Sequence, residues 1–126
     1  MAEQGVRRIT PRERVQGPPT LGMTRSQAVE TDGMWVGQAR TEPGMVSGWH
    51  HHGDHESAIY VLSGTLRMEF GPGGSDAFDA GPGDFVYVGR AAVHREGNPS
   101  DEPADIVVVR AGGGASVFNV AGPDPA

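Results

Sequence analysis

Residues 44–64, GMVSGWHHHGDHESAIYVLSG, hold four of the chain's five histidines and run directly into a segment with the composition of a buried β-strand. His50 and His52 are two residues apart, so in an extended chain their side chains leave the same face while His51 leaves the opposite one. Two imidazoles on one face can share an ion. His55 and Glu56 follow within a turn's reach, and the Ile, Tyr, Val and Leu of residues 59–62 anchor the group to a core.

Working outward, Ser63-Gly64 reads as a turn and residues 65–70, TLRMEF, alternate polar and apolar as a half-buried strand does. The GPGGS of residues 71–75 is a hairpin loop. FVYV at 85–88 is a further strand, followed by GRAAVH ending on His94, and residues 98–103 form a long polar turn. IVVV at 106–109 is the most apolar run and predicts a central strand, with a last edge strand at 116–120. Upstream, residues 27–41 read as two short strands broken at the turn dipeptide Asp32-Gly33, with Trp35 and Val36 entering the core. Tyr60, Met68, Phe85 and Tyr87 are expected in the core, because aromatic and Met side chains at strand spacing usually pack.

These segments add up to about eight to ten short strands with no amphipathic helix among them. The 20 glycines and 10 prolines punctuate them. An all-β double sheet of jelly-roll type accommodates that pattern. At 126 residues the chain makes one domain, too short for separate cofactor and substrate domains. We expect an N-terminal arm at 1–21, carrying Arg7, Arg8, Arg12 and Arg14, then a domain at 22–120 and a loose Pro-rich tail at 121–126.

The formal net charge is -6, and the positive charges are all arginine, which argues against a nucleic-acid-binding surface. No run of about 18 apolar residues marks a membrane span, and no apolar segment follows the N-terminal arginines. A cytoplasmic protein is the expectation. Cysteine is absent, which excludes disulfides, thiolate ligands and a cysteine nucleophile. Any metal here sits on nitrogen and oxygen.

Taken together, the motifs resemble those of a single-domain cupin. The first appears as Pro43-Gly44, His50, His52, Glu56 and the YVLSG of 60–64, and the second as Gly83-Asp84, the strand at 85–88, His94 and Asn98. The resemblance implies a double-stranded β-helix, or jelly-roll, barrel with His50, His52, Glu56 and His94 holding one divalent ion. In the family the glutamate usually stands three residues before the tyrosine of the YVL run, where this chain has Ser57. A one-residue bulge would bring Glu56 into the sphere. Otherwise His55 or no side chain completes it, some family members using a fourth histidine. The turn of the second motif departs too, with Ala91 where glycine is usual, and alanine resists a positive φ.

Imidazoles with one carboxylate form a nitrogen/oxygen site that accepts Mn, Fe, Co, Ni, Cu or Zn. Three or four protein ligands leave positions open for water or substrate, as in catalytic rather than structural centres. A metal-dependent enzyme acting on a small organic molecule is therefore expected, by isomerase, cyclase, lyase or dioxygenase chemistry. The competing expectation is a non-catalytic binding or sensor module. Tyr60 is a further candidate as an acid or anchor at the barrel mouth. Arg40, Arg67 or Arg110, if facing inward from a strand, would select a carboxylate or phosphate on the ligand. By analogy with small cupins, a homodimer is expected.

Overall fold

The computed structural model describes residues 5–17 and 20–125. The arm residues 1–4, 18 and 19 lie outside the described residues, as does the last residue of the tail. In chain order the strands are β1 (Val15–Gln16), β2 (Met23–Thr31), β3 (Met34–Thr41), β4 (His50–His51), β5 (Glu56–Ser63), β6 (Leu66–Phe70), β7 (Asp76–Ala80), β8 (Phe85–Val88), β9 (Arg95–Gly97), β10 (Ala104–Ala111) and β11 (Phe118–Asn119). A six-stranded sheet runs β1-β2-β3-β10-β5-β8. Facing it are the sheets β7-β6-β9 and β11-β4, linked by the bridges Val46↔Gly97 and His50↔His94. All pairings are antiparallel, the expected double-stranded β-helix.

The apolar run at 106–109 takes the central place, with β10 between β3 and β5. Ile106 lies level with Ala39 on one side and Val61 on the other, and these three join Leu66, Met68, Ile59 and Val86 in the core. Val61 and Leu66 are fully buried; each such side chain contributes roughly 1.5–3 kcal/mol. Trp35 packs against this core from its rim. Gly64 turns the chain from β5 in the large sheet to β6 in the facing one at φ +80°, and a Cβ there would meet Ala104 Cα and the Pro103 carbonyl oxygen at 2.6 Å, so this turn requires glycine.

Asn98 closes the long polar turn from inside. Its Nδ2 donates to the Glu102 carbonyl at 2.7 Å, and its Oδ1 accepts from Ser100 N–H and Oγ–H. At the chain's two ends, β1 extends the large sheet and Gly73 N–H donates to the Asp124 carbonyl oxygen at 2.8 Å, which ties the tail to the β6–β7 loop.

Four core expectations are corrected: Val36 and Tyr60 fall on the outer faces of β3 and β5, where alternation turns Gly37, Ala39, Ile59 and Val61 inward, and the other two lie on β8. Phe85 and Tyr87 are exposed, because β8 turns Val86 and Val88 inward and strand alternation sends the aromatics out. Phe85 instead packs on Tyr60 across the ladder, ring centroids 4.7 Å apart. Met68 is buried as expected.

Candidate metal centre

The second histidine motif meets the first through backbone pairing. His50 and His94 exchange both N–H···O hydrogen bonds, each 2.9 Å, across an isolated bridge, which puts their side chains on one face. His52 joins them two residues on. The ring centroids are 4.4 to 5.2 Å apart, and one ligating nitrogen from each of the three lies within 4.8 Å of the others. His51 leaves by the opposite face and stacks on Phe118.

Each ring of the triad is oriented by a backbone carbonyl. Nδ1 contacts the carbonyl oxygen of Gly48 in His50 at 2.9 Å, of Ser116 in His52 at 2.6 Å and of Ala92 in His94 at 2.9 Å. A carbonyl oxygen only accepts, so Nδ1 carries the proton in all three and every Nε2 keeps its lone pair. Burial pushes the His52 pKa down to about 3, against the opposing effect of its Ser116 hydrogen bond, and burial also lowers that of His94. Both rings are thereby held in the neutral form that binds a cation.

A carboxylate stands beside this triad, and it belongs to Glu96. Its Oε1 is 3.7 Å from His50 Nε2 and 4.0 Å from His94 Nε2. Reasoning from sequence missed it, although the signal was present: Glu96 is two residues beyond His94 and shares its face in an extended segment.

The other predicted residues lie elsewhere. No bulge shifts β5 at Glu56, whose ladder with β10 runs in register from Val61 to Glu56. The Glu56 carboxylate points outward, accepting from Tyr87 Oη–H at 2.8 Å and from Arg90 Nη2–H at 2.9 Å. Ser57 faces inward in its stead, buried, with no hydrogen-bond partner for its hydroxyl. His55 is buried outside the triad, its Nε2–H donating to the Gly114 carbonyl at 3.0 Å. Tyr60 is on the outer face of β5, against Phe85.

Of the three strand arginines, Arg40 and Arg67 project outward to Asp105 and Asp79. Arg110 continues the inward series Ala104, Ile106 and Val108. Its guanidinium lies 5.7 Å from the Trp35 ring centroid.

Three imidazoles with free Nε2 atoms, gathered inside a double-stranded β-helix, define a jelly-roll protein with a nitrogen-donor centre suited to a divalent transition metal. The chain belongs to the cupin family, whose Cupin domain (Cupin_2) matches residues 37–110. No curated protein matches the sequence. Among solved structures, an uncharacterised double-stranded β-helix protein from Klebsiella pneumoniae is 24% identical, with a TM-score of 0.73 over 92% of this chain and 98% of that one. The polyketide cyclase RemF from Streptomyces resistomycificus is 21% identical, TM-score 0.75, covering 96% and 90%. A sugar phosphate isomerase from Silicibacter pomeroyi is 20% identical, TM-score 0.67, covering 85% and 75%. At these identities the likeness establishes the fold. Among the described residues no helix is long and apolar enough to cross a membrane.

Proposed function

We propose that this cupin is a metal-dependent enzyme acting on a small organic molecule, with His50, His52 and His94 holding one divalent transition ion and Glu96 beside it. The observation that carries the reading is the set of three Nδ1-to-carbonyl hydrogen bonds, which presents three Nε2 lone pairs from rings already oriented. Structural zinc sites normally close with four protein ligands, whereas three imidazoles leave positions free. When bound, the ion supplies Lewis-acid polarisation of a substrate oxygen or a redox centre.

The chain's own residues supply the remainder. The Gly48, Ser116 and Ala92 carbonyls keep the rings from rotating, and burial keeps His52 and His94 unprotonated. Glu96 adds a negative charge on the Nε2 side, which favours a cation there and offers a hydrogen-bond acceptor to a substrate hydroxyl. That a polyketide cyclase and a sugar phosphate isomerase share the fold supports a catalytic reading over a purely binding one.

Metal analysis of the full chain, purified anaerobically without an affinity tag, tests this. About one metal per chain and a rise in melting temperature on adding Mn, Fe, Co, Ni, Cu or Zn are expected. Less than about 0.2 metal per chain with no thermal gain from any of them would overturn it. Oxygen uptake by the loaded protein with small acids and phenols then separates dioxygenase from isomerase, cyclase or lyase chemistry.

A further inference from the structure

The three-histidine centre leaves unused two inward-facing groups that lie opposite each other, Arg110 and Ser57. Arg110 comes from the last inner position of β10, and directly across the ladder on β5 is Ser57. The Nε of Arg110 and the Oγ of Ser57 are both buried, and neither has a hydrogen-bond partner. No carboxylate makes an ion pair with Arg110 among the described residues; Glu96 and Arg25 act on its charge through space in opposite senses. Two adjacent donors left unsatisfied in the interior are costly to the fold, and a bound acceptor removes that cost.

The guanidinium is also held in place. The Trp35 ring lies against it, and the indole N–H of Trp35 donates to Gln27 Oε1 at 2.9 Å, which fixes the ring's angle. As part of the inward series of β10, Arg110 faces the same barrel interior in which the rings of His52 and His94 are buried.

We propose that Arg110 and Ser57 form an anion subsite beside the histidine triad, and that the substrate is a small organic acid whose carboxylate takes these two donors. The inference rests on the metal-dependent reading and adds the substrate class. Nε–H and one Nη–H of a guanidinium form a planar fork that matches a carboxylate, and the Ser57 hydroxyl supplies a third donor. Arg110 and Arg25 against the Glu96 carboxylate leave about one net positive charge, which suits a monoanion; a phosphate dianion calls for more.

Calorimetric titration of pyruvate and benzoate into the full chain tests the subsite, both metal-free and zinc-loaded, with pyruvamide and inorganic phosphate as controls. Wild type is expected to bind at least one of the two acids in both forms, and pyruvamide more weakly. Arg110→Gln is expected to lose about tenfold or more in acid affinity in both forms while its zinc affinity stays within about threefold. Ser57→Ala loses less. Arg110→Lys, which retains the charge without the fork, falls between Arg110→Gln and wild type, and this variant keeps the test decisive should Arg110→Gln unfold.

Unchanged acid binding in Arg110→Gln, or no binding of either acid by wild type, overturns the subsite. Tighter, Arg110-dependent binding of phosphate overturns the carboxylate assignment. Failure of wild type to bind zinc sinks the metal reading separately, since the acid titration of the metal-free chain still reports on Arg110.

Discussion

The Nδ1–H of His52 donates to the carbonyl oxygen of Ser116 at 2.6 Å, joining the first histidine motif to a residue 64 positions further along the chain. The same C-terminal segment supplies Gly114 to His55 and pairs β11 with β4. Truncation after Gly113 removes these supports while leaving all three triad histidines in place. We expect zinc affinity, measured by competition with a chromophoric chelator, to fall about 10–100-fold, the usual cost of losing a ligand's orienting partner. Retained affinity would show that the ring needs no such anchor.

The two glutamates should separate cleanly in the same titration. Glu56 is occupied by Tyr87 and Arg90 on the outer face, so Glu56→Ala is expected to leave zinc affinity within about twofold. Glu96→Gln is expected to lower it about tenfold, and alanine at His50, His52 or His94 to lower it by about a hundredfold or more. A larger loss from Glu56→Ala than from Glu96→Gln would reverse the assignment of the carboxylate.

Acid should destabilise the metal-free protein through His52. Its pKa is 6.5 in an unperturbed chain and about 3 when folded. Between those values the unfolded chain binds the extra proton and the folded chain does not, so the contribution of His52 is complete above pH 6.5 and is lost as pH falls toward 3. The slope approaches about 1.4 kcal/mol per pH unit for one such group. Urea unfolding of wild type and His52→Gln across this range checks it: the variant's curve should be flatter, and parallel curves would refute the assignment.

Ala91 is the only non-glycine with a positive φ, +54°, among the described residues, and it lies in the turn that delivers His94. Its N–H donates to the Gly53 carbonyl at 2.8 Å, which holds the turn against the first motif. Left-handed backbone costs alanine about 1–2 kcal/mol, part of which glycine gives back in unfolded-state entropy. Ala91→Gly should therefore gain about 0.5–1 kcal/mol in thermal unfolding with zinc affinity unchanged; destabilisation would mean that the alanine methyl contributes packing that outweighs the strain.

Much of the fold was legible because alternation and turn chemistry are local. The valine-rich run at 106–109 announced a central strand, and Asp32-Gly33 announced the β2–β3 hairpin. Phe85 and Tyr87 were misread for the reason that Val86 and Val88 compete for the same core: a four-residue strand with apolar side chains on both faces does not declare which face is inside. Glu56 was misplaced by one position, and one position along a strand is the difference between the interior and the outer sheet face.

By itself, the sequence determined the all-β class, the shared face of His50 and His52, and His94 as a partner at the end of a second strand, since each depends on spacing within a few residues. The tertiary structure alone decided that Ser57 rather than Glu56 faces inward, that Glu96 supplies the nearby carboxylate, that Arg110 stands opposite Ser57, and that Ser116 orients His52. These are matters of register between strands far apart in the chain. Such register is set by the packing of the whole core, and no short stretch of sequence contains it.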